Sequence, residues 1–258
     1  MTMFRNANLY ITTEIKLSDA ILLNPYLMLM LEHFGIELPL QEKTIAEICL
    51  EKFINTELFL TFANLYNGNN YSPAVPFSFS DIHSIISYLK NSHKYYSEEI
   101  YPTILQNIRQ MTNTETYKEM ALVEKFFETY FKEVKEHLDY ENTIVFPYML
   151  TLYADTKISP PITNHDQYSV NNYKEQHNDI EEKLDDLKNL IIKYLPPDND
   201  RTKRRRLLLS LYELEFDLNI HSQIEDLILI PLVVKMESQL FKNKWTRAPI
   251  FLLQKRPR

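Results

Sequence analysis

Apolar residues recur along this chain at the three- and four-residue spacing of helices buried on one side. Four long stripes stand out. Ile82, Ile85, Ile86, Leu89, His93, Tyr96, Ile100, Ile104 and Ile108 share one face of a helix predicted over about 81–110, capped by Ser80 and bent at Pro102. A second helix, about 115–153, turns Val123, Phe126, Phe127, Tyr130, Val134, His137, Glu141, Ile144 and Tyr148 inward and kinks at Pro147. A third, about 165–194, buries Tyr173, His177, Ile180, Leu184, Leu187 and Ile191 until Pro196-Pro197 stops it. A fourth, about 201–241, aligns Leu207, Leu211, Leu214, Leu218, His221, Glu225, Ile228 and Leu232. Short connections between such stripes predict an all-α fold, an up-down-up-down four-helix bundle over residues 80–241.

Ahead of the bundle, residues 1–67 read as a small helical domain. Leu17 to His33 has helical spacing, with Pro25 at a helix start or a kink, and Gly35 ends the helix as a C-terminal cap. Thr44-Ile45-Ala46-Glu47 has the form of a capping box opening a second helix. A third spans about 54–66 and stops near Asn67-Gly68. Gly68 to Ser80, with Asn69, Asn70, Pro73 and Pro76, reads as a linker. His33 is expected to be solvated or capping, His83 to lie off the buried stripe, and residues 242–258 to form a basic tail.

Composition narrows the class. Only two of 258 residues are glycine, which disfavours antiparallel sheets with their glycine-dependent turns. The single cysteine, Cys49, excludes an internal disulfide or a cysteine-built metal site, and it fits a reducing compartment. A net charge of −7 argues against a nucleic-acid partner, and the run Arg201 to Arg206 reads as a solvated face. Met1 to Asn8 lacks the apolar core of a signal peptide. Apolar runs such as Leu227 to Val234 are too short to cross a bilayer, so no membrane partner is expected and the cytoplasm is the expected compartment.

The candidate chemistry lies inside the stripes. His137-x-x-x-Glu141 and His221-x-x-x-Glu225 each place an imidazole and a carboxylate one above the other on a helix, with Pro147 and Pro231 ten residues after the histidine. His93 precedes His137, and His177 precedes His221, by the same 44 residues; the two halves repeat at an offset of 84. Such repetition marks a duplicated two-helix unit. Two hairpins of this kind aim four imidazoles and two carboxylates at one point, a donor set suited to iron or another first-row metal. A glutamate on an inward face carries a large desolvation cost unless paired or coordinated. The candidate metal ligands are therefore His93, His137, Glu141, His177, His221 and Glu225.

These residues resemble the hemerythrin-like proteins, and among them the family for repair of iron centres (RIC). The resemblance runs through Ser92-His93, His137-x-x-x-Glu141 with Phe146-Pro147, His177, and His221-x-x-x-Glu225 with Pro231. In the small domain it runs through Phe34-Gly35-Ile36-Glu37-Leu38 and Lys43-Thr44-Ile45-Ala46-Glu47-Ile48-Cys49. It implies a centre of two iron ions bridged by the carboxylates of Glu141 and Glu225. By the internal repeat of this chain, His93 and His137 would serve one side, His177 and His221 the other. It further implies an open position for nitric oxide, dioxygen or a peroxide, and a role in repair of iron–sulfur clusters or in nitrosative and oxidative stress. Damaged iron–sulfur proteins would be partners, and a homodimer is compatible with it. Two departures are plain. Pro39-Leu40 stand where the family usually has a Cys-Cys pair, and Gln110-Met111-Thr112 where it usually has a further histidine. Loss of the cysteine pair favours an alternative, a sensor that binds oxygen or nitric oxide without turnover. A third reading is a helical interaction protein that has lost its metal.

Overall fold

The computed structural model describes residues 10–69, 77–111, 117–158, 170, 182–195 and 201–245. All secondary structure among them is helical, apart from one isolated antiparallel bridge between Lys16 and Thr44.

Local rules set the N-terminal elements. Helices α1 (Leu17–Leu23) and α2 (Leu27–His33) replace the single helix expected from the spacing. The break has a steric cause: Asn24 precedes Pro25, whose ring drives the residue before it out of the helical region, and Asn24 is extended at φ −136°. Gly35 then closes α2 at φ +67°. Its N–H donates to the Glu32 carbonyl at 2.9 Å, and the N–H of Ile36 donates to that of Leu31 at 2.8 Å, the paired bonds of a Schellman cap. Helix α3 (Ile45–Lys52) opens with the expected box: the Glu47 N–H donates to Thr44 Oγ1 and the Thr44 N–H to Glu47 Oε2. Asn55 caps α4 (Thr56–Tyr66), its side-chain oxygen accepting from the N–H groups of Glu57 and Leu58.

The long helices come next. A 3₁₀ turn at Phe79–Asp81 leads into α5 (Ile82–Tyr95), and its capping residue is Ser78, paired with Asp81, rather than Ser80. A π-helical turn, Tyr96–Ile100, joins α5 to α6 (Tyr101–Met111). Helix α7 (Tyr117–Tyr140) passes through a second π turn, Glu141–Val145, into α8 (Phe146–Thr156). After α9 (Glu182–Lys193), α10 (Arg201–Ile224) continues through a third π turn, Glu225–Leu229, into α11 (Ile230–Trp245).

Each π turn ends two residues before a proline: Pro102, Pro147 and Pro231. Proline has no N–H, and in an α-helix its ring would strike the carbonyl four residues back. The wider turn relieves that conflict. The residue just before each proline donates five residues back instead, Tyr101 to Tyr96, Phe146 to Glu141 and Ile230 to Glu225. The prolines therefore act through an inserted wide turn upstream, where a bend was expected at the proline itself. The insertion also shifts helical phase. Beyond Glu141 the buried positions are Val145, Phe146, Met149 and Leu152, while Ile144, expected inside, is exposed. Phe126 is exposed as well.

Helix α6 packs on α7 and α10, and α9 packs on both α7 and α10. Helices α8 and α11 pack together, α5 packs on α8, and α2 and α4 pack on α5 and α10 respectively. The buried side chains fall into two apolar clusters. One gathers the N-terminal helices with α5 up to Leu89, the chain from Val145 to Leu152, and that from Ile220 to Leu240. The other runs from Tyr95 to Leu138 and from Leu184 to Leu218. On two chain segments the change of cluster spans a candidate ligand, His93 and Glu141, and on a third it lies two positions before His221, between Leu218 and Ile220. No helix among the described residues is long and apolar enough to cross a membrane.

Candidate metal centre

In the layer between the two apolar clusters, His93, Glu141 and His221 each bring a ligand atom to within 4.8 Å of the others, and all three are buried. His93 hangs from the last turn of α5. Glu141 and Glu225 are each the first residue of a π turn, so the 84-residue offset places them in equivalent local geometry. Single π turns inside α-helices recur at functional sites because the extra residue re-aims side chains that an unbroken helix would hold in register.

The distances describe a compact donor set. His93 Nε2 lies 3.3 Å from His221 Nε2 and 3.3 Å from Glu141 Oε2. His137 Nε2 approaches Glu141 Oε1 at 3.0 Å, and His221 Nε2 approaches Glu225 Oε1 at 3.4 Å, both one helical turn apart. Glu141 and Glu225 are fully enclosed, whereas the His137 side chain keeps 18% of its surface and stands at the edge. The sequence thus identified five residues that the fold brings together. The sixth, His177, lies outside the described residues.

Two neighbours orient the rings. Ser92 donates its hydroxyl to the Leu89 carbonyl at 2.7 Å, so its oxygen accepts from His221 Nδ1 at 2.9 Å. Asn142 Oδ1 accepts from His93 Nδ1 at 3.2 Å. Protons held on both Nδ1 atoms leave the Nε2 lone pairs facing each other across 3.3 Å. Two such lone pairs repel unless a proton or a cation lies between them.

The electrostatics set the two rings apart. Burial, then the neighbouring His221, pulls His93 down to about 3, so its ring stays neutral, as a ligand must. His221 goes the other way: burial lowers it, but Glu225 and Glu141 outweigh burial and raise it. Burial, then Glu225, raises Glu141 above the ordinary carboxylate range. Two enclosed carboxylates beside three imidazoles need compensating positive charge, and a divalent cation supplies more of it than a shared proton. The nitrogen and oxygen donors fit a first-row transition metal.

A second buried polar group adjoins this one. Asp217 lies one turn before His221 on α10 and is 1% exposed. Its Oδ2 accepts from Tyr96 Oη at 2.8 Å and from His33 Nε2 at 2.9 Å; its Oδ1 accepts from Tyr66 Oη. Tyr88 Oη donates in turn to Tyr66 Oη at 2.9 Å. Burial pushes the Asp217 carboxyl up, but His33 and the two hydroxyls outweigh it and hold it below its ordinary value. His33, expected to be solvated or capping, is instead buried against Asp217, 1% exposed. The signals for this group were an aspartate within the Leu214–Leu218 stripe and a histidine four positions after Leu29 on an apolar helix, each a polar residue at a core position.

Cys49 has no comparable setting. It is buried, and burial pushes its thiol up to about 11, so little thiolate forms at neutral pH. His83 stands on the surface of α5 with its ring against Tyr153.

No family model matches this chain, and no curated protein or solved structure matches it.

Proposed function

We propose that this chain is a non-haem di-iron protein of the hemerythrin-like type, an up-down-up-down bundle acting in repair of iron–sulfur clusters or in the response to nitrosative and oxidative stress. The observation that carries the reading is the buried convergence of His93, Glu141 and His221, with His137 and Glu225 beside them, at positions duplicated along the chain. His93, His137, Glu141, His221 and Glu225 would hold the iron, with His177 as the sixth ligand. Glu141 and Glu225 would bridge the two ions, since each sits at the same point of its π turn and their charges act on each other. Bound iron would supply an open position for nitric oxide, dioxygen or a peroxide. The chain's own residues hold the rings in one tautomer through Ser92 and Asn142, and they exclude water by the apolar clusters on either side. The partly open side at His137 is the natural entry for a small ligand.

A second reading, a sensor of oxygen or nitric oxide without turnover, draws on one specific observation. The N-terminal helices carry no reactive thiol among the described residues, because Cys49 is buried and its thiol is pushed up. Ligand binding at the iron without restoration of damaged clusters would favour it.

The decisive experiment is metal analysis of anaerobically purified protein. Close to two irons per chain is expected, falling sharply in His137→Ala and in Glu225→Gln. A protein that never binds iron, with both variants unchanged, would leave only a helical interaction protein.

A further inference from the structure

Resting on the reading of the buried cluster as a redox-metal site, we infer that Tyr96 with Asp217, followed by Tyr95 with Glu213, forms a one-electron relay leading out of that site. The geometry consists of two matched pairs. Tyr96 is fully buried, with its ring 5.7 Å from that of His221 and at a steep angle to it. Its hydroxyl donates to Asp217 Oδ2 at 2.8 Å. Tyr95, the preceding residue, has its ring centre 5.8 Å from that of Tyr96, and its hydroxyl donates to Glu213 Oε1 at 2.7 Å. Asp217 and Glu213 lie one turn apart on α10. Each phenol therefore has its own carboxylate, and the second pair lies nearer the surface than the first: Tyr95 is at the edge of burial and Glu213 is partly exposed.

A buried phenol gives up an electron readily only if its proton leaves in the same event, because a phenol radical cation in an apolar interior is strongly disfavoured. Asp217 provides that destination. Hydrogen peroxide needs two electrons and two protons to become two waters. Ferrous ions, if bound, would each give up one electron to a first peroxide; to the next, Tyr96 supplies one electron and, once refilled by Tyr95, the second. The two protons come from solvent. The Tyr96 O–H bond breaks, its proton forms an O–H bond on Asp217, and a neutral phenoxyl radical remains. Tyr95 refills Tyr96 in the same way: its electron and a proton restore the Tyr96 phenol, Asp217 returns its proton, and Glu213 takes that of Tyr95. A small one-electron reductant in solution then restores Tyr95. The relay carries oxidising equivalents away from the ligand histidines and would let the site reduce peroxide at the expense of an external reductant.

The same contacts could serve packing alone, so the test reads the radical itself. Ferrous iron is loaded anaerobically, its content measured, and the protein mixed with several equivalents of hydrogen peroxide and frozen. A phenoxyl signal is expected in electron paramagnetic resonance, changing its splitting when tyrosine is ring-deuterated. Tyr96→Phe should abolish it. Tyr66→Phe, which removes a hydroxyl from the other oxygen of the same carboxylate, should retain it. Tyr95→Phe should lengthen its lifetime several-fold. Iron-loaded protein with no radical, or a signal unchanged in Tyr96→Phe, overturns the relay while leaving the metal site standing. Failure to load iron overturns both, and the metal analysis tells the two failures apart.

Discussion

Nε2 of His33 lies 2.9 Å from Oδ2 of Asp217, a residue 184 positions further along the chain and one helical turn before the candidate ligand His221. The pair connects α2 to the helix that carries the candidate ligand His221. It also places a charge where apolar packing would otherwise be continuous, since both side chains are about 1% exposed.

Breaking that pair is predicted to be costly. His33→Ala leaves Asp217 buried with only the two tyrosine hydroxyls, and removal of one partner of a buried pair typically costs about 3 kcal/mol. Urea denaturation of the metal-free protein measures it. The pH dependence follows from the sign of the shift. Asp217 is depressed in the fold, so its contribution is present above the ordinary value of 3.8 and is lost as pH falls through the folded value. Without His33 the depression shrinks, and stability should fall less steeply below that pH.

Glu141 is predicted to trade stability for metal. Its carboxyl is raised by burial and by Glu225, so its contribution is full below the ordinary 4.5 and is lost as pH rises through the folded value. Metal-free Glu141→Gln should therefore be more stable than the parent at neutral pH, by about 1–2 kcal/mol. Its iron content should collapse. Unfolding curves in the presence of a chelator decide it; a less stable variant would show that the buried carboxylate is compensated without metal.

Ser92 should matter for affinity and little for the fold. Ser92→Ala removes the acceptor that keeps the proton on His221 Nδ1, and loss of such a support typically weakens metal binding about 10–100-fold. Ser92→Thr, which keeps the hydroxyl, should restore most of it. Competition titration with a chromophoric chelator gives the constants, and an unchanged affinity would remove Ser92 from the site.

Gly35→Ala isolates backbone strain. A Cβ there would meet nothing within 4 Å, so the φ of +67° is the only obstacle. The cost expected is about 1 kcal/mol, from holding an L-residue in the left-handed region. A thermal unfolding midpoint indistinguishable from the parent's would contradict it.

Local chemistry was readable before any fold was known. The Gly35 cap, the Thr44–Glu47 box and the stop near Gly68 depend on residues within a few positions of one another, and each is found as expected. The stripes on α5, α6 and α10 hold for the same reason. The inward set of the second long helix does not, because an unbroken 3.6-residue period was carried past Glu141, whereas a π turn inserts a residue there and brings Val145 rather than Ile144 into the core. The prolines were visible; the wide turn that accommodates them was not.

For the site, spacing along single helices was enough to pair His137 with Glu141 and His221 with Glu225, since residues four apart must meet. The 84-residue repeat then pointed both pairs toward one interior. Which atoms face one another depends on how separate helices pack, and only the tertiary structure decided that. It set His93 against His221 at 3.3 Å, drew Ser92 and Asn142 in as supports, and buried His33 against Asp217. No periodicity encodes such contacts, because they join segments up to 184 residues apart whose relative placement comes from the sum of many apolar burials.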